Sequence, residues 1–228
     1  IVVSIFVNPK QFGPNEDFEH YPRDLSQDLE LCKKNNVSCV FTPNSNEIYP
    51  DSHIETVVTV PRLATKYCGH TRPEFFNGVT NIVNRLFNII QPDYAVFGEK
   101  DFQQLIIIKT MVKDLFIPVK IISGAIRRDL DGLALSSRNQ YLTNKQQKTA
   151  ARLYQSLVEA KELFRKGQVS SIELCKYIEN KLNGLFSIDY IHIIDSVTLE
   201  VIDVAKKGNR MIFAGTFEKV RLIDNIEL

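Results

Sequence analysis

The chain has 228 residues, 44% of them apolar, which is enough to bury one large core or two modest ones. Its 28 Lys and Arg stand against 27 Asp and Glu for a net charge of +1, spread without a basic stripe, which excludes the electrostatic footprint of a nucleic-acid binder. No run approaches membrane-spanning length and no signal peptide is visible.

Cys32, Cys39, Cys68 and Cys175 fall at spacings of neither a zinc ligand set nor a redox pair, and His20, His53, His70 and His192 show no metal pattern. These cysteines read as reduced residues of a cytoplasmic protein. Because the first residue is Ile rather than Met, the chain reads as starting inside a longer one.

In chain order, Ile1–Val7 is a nearly continuous apolar run expected to form a strand covered on both faces, stopped by Asn8-Pro9. Gln11 lies just beyond, where a strand's carboxyl end meets a loop. A helix is predicted over Leu25–Asn35, with Asp24 as its cap and Leu25, Leu29 and Cys32 on one face. Val37–Thr42 is the next strand, and an irregular passage follows with one further strand at Thr56–Val60. The helix predicted over Gly78–Ile90 has Val79, Ile82, Val83, Leu86, Phe87 and Ile90 on its apolar face.

The stretch from Asp93 to Gln104 organises the rest. Asp93–Phe97 is a short β-rich run, and Phe102–Leu115 repeats apolar residues at Leu105, Ile108, Val112 and Leu115, so a strand turns through Gly98 into an amphipathic helix. A glycine at a strand's carboxyl end admits close approach of a ligand, and the helix behind it offers unpaired N–H groups to an anion. Asp101 with Gln104 also has capping-box spacing, and Glu99 and Lys100 also read as solvated turn charges. The density of Gly, Glu, Lys, Asp and two Gln within seven residues exceeds what a cap requires. A lysine there would meet a phosphate as a point charge, and Asp101 would accept from ribose hydroxyls.

With a strand at Val119–Ser123, the alternation predicts an α/β fold, a Rossmann-like parallel sheet with helices on both faces, in a domain spanning 1–126. The texture changes at Gly124–Asn139, where Arg127 and Arg128 precede Leu135-Ser136-Ser137-Arg138-Asn139. That loop reads either as a polar connection or as a phosphate contact. Thr143 and Gln146 form a capping box for a helix reaching Lys166, and Ser170 or Ser171 opens another to Leu182. Strands at Ile188–Ile194, Arg210–Gly215 and Val220–Ile223 complete a smaller α+β domain, 127–228, with an antiparallel sheet. Little in this half looks chemical.

Val3–Phe12, Tyr21-Pro-Arg23, Arg72-Pro73, Gly98–Gln104 and Asp131–Asn139, in this order and spacing, resemble the pantoate–β-alanine ligase (pantothenate synthetase) family over essentially the whole chain. The resemblance implies ATP-dependent condensation of pantoate with β-alanine through a pantoyl adenylate, with Mg2+, releasing AMP and pyrophosphate, in a cytoplasmic homodimer. It places Gly98, Glu99, Lys100 and Asp101 at ATP, with Lys100 on the phosphates. It makes Leu135, Ser136, Ser137 and Arg138 a phosphate-clamping loop, puts the Arg127 backbone near the adenine, and gives Arg72 a triphosphate contact. It assigns Gln11 and Gln104 to pantoate, Gln11 also to β-alanine, and Asp28 to a metal contact through water.

Two features depart from the family. Its first strand and a word with two histidines would precede Ile1, and Phe75 stands where the family usually has His. Two other readings share these residues: a nucleotidyltransferase of the same superfamily, and an ATP-binding fragment without turnover.

Overall fold

The computed structural model describes residues 1–14, 16–50 and 56–228. Its first half holds two pairs of parallel strands, β1 (Val2–Ser4) with β2 (Cys39–Phe41), and β3 (Tyr94–Gly98) with β4 (Lys120–Gly124). The α/β class is as expected, although no ladder joins the two pairs among the described residues. Covering is one-sided at β3–β4. Ala95, Phe97 and Ile121 pack into the core, while Val96 is 67% and Tyr94 61% exposed on the opposite face. β1 likewise leaves Val2 exposed, where a strand covered on both faces was expected.

α1 (Leu25–Lys34) starts where Asp24 caps it, its carboxylate accepting from the Gln27 N–H at 2.9 Å. Three short helices the sequence had not announced follow: α2 (Ser45–Ile48), α3 (Pro61–Ala64) and α4 (Cys68–Thr71). Thr56–Val60 is not a strand. The Val58 N–H donates to Asn81 Oδ1 (3.2 Å) and its carbonyl accepts from Thr80 and Asn81 side chains, so helix side chains do for this backbone what a neighbouring strand would. Those partners sit on α5 (Phe75–Ile90), which begins three residues before the predicted start and ends where Gln91 turns left-handed (φ 49°) ahead of Pro92.

α6 (Phe102–Asp114) is buried more completely than a single apolar stripe implies. Leu105, Ile106, Ile107 and Ile108 are all inside, because the same core contains Ile194, Leu199 and Ile212 from the second half of the chain. A helix apolar on several sides is one packed from several sides.

In the second half, the predicted long helix is two, α7 (Asn144–Ala150) and α8 (Arg152–Arg165), interrupted at Ala151; Thr143 and Gln146 do form the capping box. Ser170, rather than Ser171, caps α9 (Ser171–Leu182). The antiparallel sheet β5 (Phe186–Ile194), β6 (Arg210–Phe217), β7 (Val220–Glu227) runs longer than predicted, in the order β5-β6-β7. One face meets α8 and α9; the other reaches α6, so the central strand β6 is almost wholly buried.

Candidate active site

A cavity of about 840 Å³ lies where the two halves meet. Its walls are built by chain leaving the carboxyl ends of parallel strands, as expected of an open α/β sheet. β1 leads to Phe6–Asn8 and Gln11, and β3 leads to Lys100–Gln104.

The first wall is fixed by one close approach. Asn8, buried, donates to the Gly78 carbonyl (3.1 Å) and accepts from the Tyr49 hydroxyl (2.8 Å) and the Lys10 N–H (3.2 Å). A Cβ on Gly78 would stand 2.3 Å from the Lys10 carbonyl oxygen, so only glycine lets α5 lie against the Pro9–Gln11 turn. That contact holds Gln11 at the cavity. The Gln11 carbonyl then accepts from Arg72 Nη2 at 3.0 Å.

The second wall is the Lys100–Gln104 part of the Gly98–Gln104 word. Gly98 needs no glycine for its own backbone (φ −70°), and a Cβ there would meet nothing within 4 Å. Glu99–Asp101 forms a 3-10 turn into α6, and Asp101 makes no side-chain cap, so the capping reading of Asp101 and Gln104 is not what the structure uses. Lys100, Asp101 and Gln104 line the cavity. The neighbouring Gln103 is structural: it donates to the Leu63 and Lys66 carbonyls and accepts from the Cys68 N–H.

The third wall is the loop ahead of α7. Arg127–Leu135 folds back on itself, with the Leu135 N–H on the Arg127 carbonyl (2.9 Å) and Gly132 at φ 99° in the bend. Asn139 then ties to the Ala134 carbonyl (3.0 Å), and Gln147 to the carbonyls of Asn139 and Leu142. Ser136 and Arg138 line the cavity from this side.

Both arginines expected at a triphosphate are held by carboxylates of one loop. Arg138 makes a bidentate pair with Asp17 (2.7 and 3.0 Å), and Arg72 pairs with Glu16 while stacking 3.8 Å over Phe75. Ser137 does not line the cavity but donates to the hydroxyl of Tyr21, which does, at 2.8 Å. Glu16, Asp17 and Tyr21 were missed as site residues, although the Tyr21-Pro-Arg23 word marked their loop.

Several expected site residues do not line the cavity. Glu99 faces Arg210 (3.5 Å), Leu135 is over half exposed, Arg127 points to solvent, and Asp28 sits partly exposed on α1. Gly98 adjoins the cavity through Lys100 without being part of its wall.

Hydrogen bonding by Arg138 holds the Asp17 carboxyl below its ordinary value of 3.8. A depressed acid stabilises the folded contact above its unfolded pKa, and that contribution is lost as pH falls through the folded value. The loop's docking onto Arg138 should therefore be unchanged between about pH 5 and 8 and weaken only below about pH 4. Tyrosine fluorescence from Tyr21 and Tyr141 across that range, with Asp17→Asn as the variant in which the acid limb disappears, checks it.

A sequence profile described as "Pantoate-beta-alanine ligase" matches residues 1–227. This chain belongs to the pantoate–β-alanine ligase family. Among its relatives, the pantothenate synthetase of Acetivibrio thermocellus is 47% identical over 227 residues, which is 99% of this chain and 80% of that protein. The crystal structure of pantothenate synthetase from Thermus thermophilus superposes with a TM-score of 0.95 at 42% identity, covering 99% of this chain and 82% of the other. A pantoate–β-alanine ligase from Francisella tularensis, complexed with "Beta-gamma ATP" and β-alanine, matches with a TM-score of 0.77 at 35% identity over 99% and 78% of the two chains. Family membership makes this protein a ligase that joins pantoate to β-alanine. The nucleotidyltransferase and inactive-fragment readings have no such support.

Proposed function

We propose that ATP lies across the junction of the two halves, between the Gly98–Asp101 turn and the Ser136–Arg138 loop. Lys100 and Arg138 meet the phosphates, joined by Arg72, Ser136 and, after release from Tyr21, Ser137. Gly98 and Asp101 hold the ribose, the backbone of Arg127 borders the adenine, and Leu135 opens the phosphate-clamping loop. Gln11 and Gln104 orient pantoate, and Gln11 also meets the incoming β-alanine. The observation that carries this reading is that Lys100, from the first half, and Arg138, from the second, line one cavity with both glutamines.

The reaction suits these groups. A pantoate carboxylate attacks the α-phosphorus and pyrophosphate leaves, then the β-alanine amine attacks the acyl adenylate and AMP leaves. Neither step needs a protein nucleophile. Alignment and neutralisation of charge on the phosphates suffice, and fixed cations in a partly dry cleft provide both. A carboxamide both donates and accepts, so it orients a hydroxy acid without adding charge.

No group of three or more His, Cys, Asp or Glu that would hold a metal occurs among the described residues. Asp28 is not among the residues that line the cavity, and the described residues hold no cluster that would form a magnesium cage; Mg2+ belongs to this proposal only as the companion of the ATP phosphates. Among the described residues no helix is long and apolar enough to cross a membrane. A cytoplasmic homodimer completes the proposal on the strength of the family resemblance, and the change of texture at Gly124–Asn139 supports a division into domains at 126/127.

Gln104→Ala tests the pantoate assignment. The expected result is a raised KM for pantoate with unchanged thermal stability, since the side chain caps nothing. Lost stability with an unchanged pantoate KM would return Gln104 to a structural role.

A further inference from the structure

Two adjacent residues of β7, which themselves line the cavity, grip both nucleotide-facing segments. Asn225 is buried, and its side-chain amide donates to the carbonyls of Glu99 (2.9 Å) and Lys100 (3.0 Å). Its Oδ1 accepts from Arg210 Nη1 at 2.7 Å. Since a guanidinium only donates and a carbonyl only accepts, that contact fixes which way the amide faces. Arg210 is itself held 4.1 Å over the Phe102 ring and near the Glu99 carboxylate.

Successive strand residues point to opposite faces, so the neighbour Asp224 reaches elsewhere. It forms a buried bidentate pair with Arg128 (2.5 and 2.8 Å), whose guanidinium lies 3.6 Å over Tyr154 and donates to the Gly132 carbonyl. Arg128 is at the base of the turn-back that presents Ser136–Arg138, where it bridges Ala134. The two gripped segments come from opposite halves of the chain, and a single dipeptide sets the distance between them.

We propose that Asn225, with Asp224 beside it, is a positioning residue for the nucleotide: it holds the Glu99–Lys100 peptide so that the Lys100 side chain faces the Ser136–Arg138 loop. This rests on the reading that Lys100 meets the triphosphate. A buried asparagine with a merely structural duty would stabilise the fold without favouring ATP over pantoate. A positioning residue acts through Lys100 and leaves the Gln11 and Gln104 side of the cavity alone.

Pantoate-dependent exchange of labelled pyrophosphate into ATP separates the two in a cycle of Asn225→Ala, Lys100→Ala and the double variant. Asn225→Ala is expected to lower kcat/KM for ATP about 10- to 100-fold, to leave the pantoate KM unchanged, and to change the Lys100→Ala enzyme by less than about two-fold. Asn225→Ser, which keeps a donor for one carbonyl, should fall between and carries the same cycle where the alanine variant does not fold. An equal loss from the Asn225 change in both backgrounds, or a parallel rise in the pantoate KM, overturns the inference alone. An unimpaired Lys100→Ala enzyme overturns the nucleotide reading and the inference with it.

Discussion

Lys100→Ala should lower pantoate-dependent exchange of pyrophosphate into ATP by about 100- to 1,000-fold, equivalent to roughly 2.7–4 kcal/mol of transition-state stabilisation. The side chain lines the cavity, and its ammonium makes no ion pair or hydrogen bond to any described residue. Removing it therefore costs the fold only its longer-range attraction to the Asp224 carboxylate, and the melting temperature should stay close to that of the parent. The Asn225 amide still grips the backbone of residue 100, so the turn keeps its shape. What is lost is a positive charge where negative charge accumulates as pyrophosphate departs, in a cleft where a cation acts more strongly than in water. The loss should appear chiefly in kcat. Turnover equal to the parent's would remove Lys100 from the reaction.

The second large effect is expected at Gly78, a position without reactive chemistry. Within a helix, Gly→Ala ordinarily stabilises by about 1 kcal/mol through propensity. Here the added carbon would lie 2.3 Å from the Lys10 carbonyl oxygen and 3.0 Å from the Gln11 nitrogen. Both are backbone atoms and cannot rotate away, so α5 and the Asn8–Gln11 turn must separate. Overpacking of this kind costs about 1–3 kcal/mol, which outweighs the propensity gain. Separation also moves Gln11 away from the cavity and strains the Asn8 bond to the Gly78 carbonyl. Gly78→Ala should thus show both a lowered denaturant midpoint and a raised pantoate KM. A variant as stable as the parent with an unchanged KM would mean that the helix and the turn do not need their present separation.

The elements with strong local signals are legible in the sequence alone. Asp24 at α1, the Thr143–Gln146 box at α7 and the β3–Gly98–α6 junction each carry their cause within a few residues. Thr56–Val60 was misread because β-branched residues describe a preference, while a strand needs a neighbour, and here the neighbours are the Thr80 and Asn81 side chains. The burial of α6 on several sides was hidden for a related reason: its second partner, the β5–β6 sheet, arrives some ninety positions later.

Site residues divide along the same line. Gln11, Lys100, Asp101, Gln104, Ser136 and Arg138 belong to local words, and all six line the cavity. Glu16 and Asp17 act on arginines far along the chain, and Asp224 and Asn225 sit in a strand whose pattern is that of ordinary sheet, so no local spacing announces them. The C-terminal half, which looked chemically plain, contributes Asp224 and Asn225, whose hydrogen bonds reach segments on both sides of the cavity.

One arrangement bears on how substrate enters. Because Glu16 and Asp17 already satisfy the guanidiniums of Arg72 and Arg138, a triphosphate arriving there trades one set of anions for another rather than falling onto bare cations. Much of the electrostatic gain of capture is spent on the exchange, so affinity for nucleotide should be moderate and release of product correspondingly easy. On the proposed reading, the displaced Glu16 and Asp17 carboxylates would need solvent or new partners, which would link the gripping of ATP to a movement of these two residues away from the cleft.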